Sequence, residues 1–111
     1  MKKLHLLWTT GERDVALRMI FVYLMNAKSM GWYDEIHLII WGPSAKLLSE
    51  DVEIQQELDL LLQSGIEVEA CEGCTKAYNI TDKIRSLGIN VRYMGEPLTQ
   101  ILASGEKLIT F

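Results

Sequence analysis

The sequence predicts an α/β domain, a three-layer α/β/α sandwich built on a five-stranded, mainly parallel sheet. Three observations carry that reading. Strand-length apolar runs alternate with helix-length amphipathic stretches along the whole chain, separated by short connections marked with glycine. Strict βαβ alternation calls for parallel neighbours, because a parallel pair needs a crossover. Two of the runs, LHLLW and IHLIIW, are apolar on both faces, as strands covered on both sides should be. Residues 1–111 read as a single domain, with no linker, low-complexity segment or internal repeat.

Lys3 to Thr9 is the first strand, and Thr10 or Gly11 opens a helix that runs to about Met30, with Gly31 past its end. Glu35 to Trp41 is the second strand, stopped by Gly42-Pro43. Ser44 to Leu48 forms a turn of helix, and a better amphipathic helix covers Asp51 to Ser64, stopped by Gly65. Ile66 to Cys71 is the third strand. Its Glu67 and Glu69 fall on one face, which is expected to meet solvent or a partner chain. Short helices cover Gly73 to Tyr78 and Thr81 to Leu87, and Ile89 to Met94 is strand four. Pro97 suits the first turn of a last helix ending at Gly105, and Lys107 to Phe111 closes the sheet.

Apolar residues make up 49% of the chain, enough to bury a core. A net charge of −4 with mixed signs and no Lys/Arg run speaks against a nucleic-acid partner. The apolar run after Met1-Lys2-Lys3 is too short for a signal peptide. The longest apolar stretch, Val15 to Met25, contains Arg18 and falls short of the roughly 20 residues that span a bilayer. The expectation is a cytoplasmic protein without a membrane partner, in which two cysteines do not serve as a structural disulfide. Apolar residues cover nearly the whole circumference of the first helix. Such a helix must be buried on all sides, which implies a homo-oligomer interface that Phe21→Asp should break.

Ligands of open parallel sheets bind beyond the carboxyl ends of the strands. Those ends offer Thr9 and Thr10, then Trp41, Gly42 and Ser44, then Cys71, Gly73 and Cys74, then Glu96. Cys71 and Cys74 are the catalytic candidates, being the only nucleophiles stronger than a hydroxyl. The other residues are candidate ligand contacts. A zinc site lacks a second pair of ligands, and His5 and His37 read as satisfied core histidines, so neither a metal nor a cofactor is expected. Three readings of Cys-Glu-Gly-Cys remain: a dithiol redox pair, a nucleophilic or sulfur-carrying thiol, and buried filler. Backbone amides at the following helix start and Lys76 favour a thiolate, whereas Glu69 and Glu72 oppose it. A reading from another class is a non-catalytic oligomeric module that binds a small ligand or partner near Trp41 and Glu96.

The whole chain resembles the DsrE/DsrF-like (YchN-like) proteins, the DsrEFH-like sandwich domains. The resemblance rests on the apolar first helix, the segment from His37 through Trp41-Gly42-Pro43 to Ser44, the strand from Gly65 to Cys71, and the segment from Gly88 to Pro97. It implies a small doubly wound domain that forms homotrimers or hexamers. It also implies a sulfur-relay role, in which the cysteine after the third strand, here Cys71, carries sulfur as a persulfide between a donor and an acceptor protein. Cys74 would resolve or tune that persulfide. One departure is visible: sulfur-relay members often carry Arg-Gly shortly after the cysteine, where this chain has Tyr78-Asn79. That removes a guanidinium able to stabilise a thiolate.

Overall fold

In the computed structural model, which describes residues 2–111, five parallel strands lie in the order β4-β3-β2-β1-β5. They are β1 (Lys3–Trp8), β2 (Glu35–Ile40), β3 (Glu67–Cys71), β4 (Asn90–Arg92) and β5 (Lys107–Thr110). From β1 to β4 each crossover steps the same way across the sheet. Right-handed crossovers therefore place all the helices of those connections on one face. Only the last connection steps back past β1, so α7 (Gly95–Ser104) crosses on the opposite face alone. The sandwich is accordingly lopsided.

Alternation along the strands sorts the residues between these two environments. Leu4, Leu6, Trp8, Ile36, Leu38, Ile40, Val68 and Ala70 pack into the large core beneath the many-helix layer. The alternate residues His5, His37, Ile39, Glu69 and Cys71 turn towards the face that carries only α7, and all of them are buried. A smaller apolar cluster there joins Ile39, Cys71, Met94 and Ile101 with Leu7, Trp41, Cys74 and Leu108.

The first helix begins later than the sequence suggests. The amides of Thr9 and Thr10 both donate to the Phe111 carbonyl, so helical structure starts at α1 (Arg13–Val15). A π-helical segment, Ala16–Ile20, comes next and leads into α2 (Phe21–Ser29). The wide π turn inserts one residue, rotating the rest of the helix by about 100°. Both Ile20 and Phe21 thereby face inward, and Phe21 packs edge-on against Trp8 with ring centroids 5.3 Å apart. Phe21 is thus a core residue and not a probe of assembly. The helix is not enclosed on all sides within one chain either: Met19 (40% exposed) and Val22 (49%) point outward.

Helix α3 (Pro43–Glu50) is longer than the predicted single turn, because Pro43 occupies its first position with φ already helical. Asp51 ends it and caps α4 (Val52–Gln63), its side chain accepting the Ile54 N–H at 3.1 Å. The connection to β4 holds α5 (Glu72–Ala77) and α6 (Thr81–Ser86). The expectation for β3 holds for Glu67, which is exposed, but not for Glu69: β3 is interior to the sheet, and Glu69 is 3% exposed. Among the described residues no helix is long and apolar enough to cross a membrane.

Ser44 ties the carboxyl ends of β1 and β2 together. Its buried hydroxyl donates to the Trp8 carbonyl at 2.5 Å and accepts the Trp41 N–H at 3.1 Å. Replacing Ser44 with alanine removes this bridge, while the Trp41 N–H still reaches the Trp8 carbonyl at 3.0 Å. The expected loss is about 1 kcal/mol of folding stability, read from the urea midpoint. An unchanged midpoint would refute the role.

Candidate functional site

Cys71 is the last residue of β3 and the residue before α5, so the chain passes from strand to helix at its thiol. One helical turn later Cys74 returns to the same side. Both thiols are free; Cys71 is buried and Cys74 half-buried. Cys74 Sγ accepts the Gly42 N–H at 3.1 Å, which the positive φ of Gly42 (+75°) turns towards it. Burial raises the Cys74 pKa, the Gly42 N–H pulls it down, and the neighbouring Cys71 raises it again; the net shift is upward. Cys74 therefore keeps its proton at neutral pH. Gly73 covers the pair without a side chain. A methyl there would lie 3.8 Å from Cys71 Sγ and 4.0 Å from the Tyr93 ring.

The two carboxylates that oppose a thiolate are both compensated. Glu69 receives Arg92 through two bonds, at 2.7 and 3.1 Å, with Asn90 at 2.9 Å and His37 at 2.8 Å. Burial by itself raises the Glu69 pKa, but the bonds from Arg92, His37 and Asn90 outweigh it and leave the carboxyl below its usual range. Glu72 is held by Lys76 at 2.9 Å and faces Arg85 at 3.6 Å, and the bond from Lys76 lowers its pKa. Lys76 also donates to the Tyr93 hydroxyl at 2.8 Å, so its charge is divided. The guanidinium groups absent from the segment just after the cysteines thus come from α6 and β4. Arg92 pairs in register with Cys71 itself.

His5 and His37 are buried core histidines. Their Nδ1 atoms stand 2.8 Å apart, and His5 Nε2 lies 3.0 Å from Glu106. His37, Glu67 and Glu69 bring possible ligand atoms within 4.8 Å of one another, yet both Glu69 oxygens are already occupied by Arg92 and Asn90.

Of the residues singled out from the sequence, the fold gathers Cys71, Cys74, Gly42 and Gly73, with Trp41 in the same apolar cluster. It does not gather the rest. Thr9 and Thr10 spend their amides on Phe111, the Thr9 hydroxyl donates to the same carbonyl, and Ser44 is a buried bridge. Glu96 lies on the first turn of α7, lining a shallow hollow with Arg92 and Gln100 that no cysteine reaches. A hollow of about 820 Å³ opens at the amino ends of β1 and β5 beside Tyr23, Trp32 and Tyr33, far along the strands from the thiols. Sequence reading missed Asn90 and Arg92. The only available signal was the pair of carboxylates on β3, which required cations from a neighbouring strand once buried.

A family model described as the DsrE/DsrF-like family matches residues 2–111. The chain belongs to the DsrE/DsrF-like family. This DsrE/DsrF-like domain is similar to BT1422 from Bacteroides thetaiotaomicron, a conserved protein of unknown function. The two share 44% identity and a TM-score of 0.97 over 99% of this chain and 95% of that one. It shares its fold with ychN from E. coli (18% identity, TM-score 0.72) and with MTH1491 from Methanobacterium thermoautotrophicum, of unknown function (14%, 0.81), each match covering 100% of both chains. No curated protein matches the domain in sequence.

The Glu69 cluster makes stability depend on pH. Its folded-state pKa is lowered, so its contribution is fully present above the ordinary carboxylate range, near 4.3. That contribution disappears as pH falls through the depressed folded value. Arg92→Met leaves the buried carboxylate with weaker partners. With Arg92 itself half exposed, the expected cost at neutral pH is about 1–3 kcal/mol, shrinking on acidification. Denaturant melts across the acid range measure it; a loss independent of pH would contradict the assignment.

Proposed function

We propose that the protein is a sulfur carrier, with Cys71 receiving sulfane sulfur as a persulfide. Membership of a family linked to sulfur relay supports the reading, and one local observation carries it: the thiol at the end of β3 stands one helical turn from a second thiol that keeps its proton, and Gly73 between them has no side chain to crowd it. The thiolate of Cys71 attacks the outer sulfur of a donor persulfide. The donor S–S bond breaks, the donor leaves as a thiolate, and Cys71 holds the transferred sulfur. That sulfur extends about 2.05 Å beyond Sγ, into the space a side chain at position 73 would fill. Delivery runs the same exchange towards an acceptor thiol. Cys74 supplies a second exit: its sulfur displaces hydrosulfide from the Cys71 persulfide and leaves a Cys71–Cys74 disulfide. Its raised pKa makes that exit slow at neutral pH, which favours carrying over immediate resolution.

We also propose that the protein works as a homo-oligomer through the outward face of its first helix. Met19 and Val22 expose apolar surface beside Arg18 and Asn26 on that face.

Mass spectrometry after exposure to a low-molecular-weight persulfide is expected to show one added sulfur in the wild type and in Cys74→Ala, and none in Cys71→Ala. Gly73→Val should keep the fold, because its backbone φ is not left-handed, but slow loading roughly ten- to hundredfold. Failure of the wild type to gain mass, or an undiminished gain in Cys71→Ala, rejects the carrier role. Reversible loss of two hydrogens without sulfur gain would assign dithiol redox chemistry instead.

Gel filtration tests the assembly. Val22→Glu, at an exposed position, should shift the protein to a smaller species without loss of secondary structure. An unchanged elution volume would argue against this interface.

A further inference from the structure

We propose that His5 and His37 hold one shared proton between their Nδ1 atoms at neutral pH, making the chain Glu106–His5–His37–Glu69 a proton-binding site buried in the sheet. A count of hydrogens leads there. Three contacts stand in series: Glu106 to His5 Nε2 at 3.0 Å, His5 Nδ1 to His37 Nδ1 at 2.8 Å, and His37 Nε2 to Glu69 at 2.8 Å. At these separations each needs one hydrogen between two lone-pair atoms. Two neutral imidazoles bring two hydrogens, and the two carboxylates bring none. Without a third, two ring lone pairs would confront each other at 2.8 Å in a buried, low-dielectric place.

Glu69 does not supply the missing hydrogen, because Arg92 and Asn90 hold it as the carboxylate. It comes from solvent. A hollow of about 340 Å³ between α7 and the sheet reaches both rings and provides the route. Held on His37, this proton is donated to His5, which stays neutral and donates its own Nε2–H to Glu106. The charges then balance: Glu69 and Glu106 are negative, Arg92 and the captured proton positive. Lys3 and Glu67 line the same hollow with one charge of each sign, and α7 presents only Gln100, Ser104, Pro97 and Ile101 to it.

The pair accepts one proton and resists a second. Burial lowers the His5 pKa, its bond to Glu106 raises it, and the neighbouring His37 lowers it again, with a net fall.

NMR of isotope-labelled imidazole nitrogens in the full chain tests this. At neutral pH the wild type should show one doubly protonated ring, one neutral Nε2–H ring, and coupling across the Nδ1–Nδ1 contact. Glu106→Gln, at a half-exposed position, provides the decisive comparison. The glutamine amide can donate to His5 Nε2, so His5 can carry its hydrogen on Nδ1 and satisfy His37 without an extra proton. The doubly protonated signal should vanish at neutral pH, and His5 should switch to the Nδ1–H tautomer. Two neutral rings in the wild type at neutral pH, or a glutamine variant identical to the wild type, would overturn the proposal.

Discussion

Crossovers between parallel strands are right-handed almost without exception, and in this chain that one constraint distributes everything else. Three successive steps in one direction stack their helices on one face, and a single step back leaves α7 alone on the other. The crowded face is filled by Leu, Ile, Val and Trp side chains, as a closed layer demands. The other face has room for polar groups, and the alternation of β1, β2 and β3 delivers two histidines, two glutamates and a cysteine to it.

Polar groups buried there are stable only when each finds a partner. Glu69 organises the solution, accepting bonds from β2 and β4 at once. One carboxylate thus draws together three adjacent strands, two residues before Cys71. The same arrangement removes an electrostatic objection to anionic sulfur at Cys71, because the nearest buried negative charge is already matched by a guanidinium.

The thiol pair and the histidine chain occupy neighbouring regions of this face but differ in character. Cys71 and Cys74 lie in an apolar cluster at the carboxyl ends of the strands, where open α/β sheets hold their ligands. The histidines lie deeper, in the middle of β1 and β2, where the sheet backbone fixes them at matching register, His5 opposite His37. Rigid register is what brings two ring nitrogens so close. A loop would relax the contact by moving.

The parallel α/β architecture, the element order and the place of Cys71 at the end of β3 were legible in the sequence. Periodicity, glycine stops and a thiol at a strand end are local signals that reflect backbone geometry and polarity. The alternation that put Glu67 and Glu69 on one face was legible too, but its consequence was not. Whether that face meets solvent depends on which strands flank β3 and which helix covers it. Arg92, Asn90 and Glu106 joined the polar chain only through strand order, at separations of up to 101 residues. The late start of the first helix, the inward turn of Phe21 and the use of the Thr9 and Thr10 amides by Phe111 were likewise decided by tertiary contact. Sequence by itself determined which groups needed partners; only the folded sheet decided which partners they met, because hydrogen bonds and charge pairs form between neighbours in space.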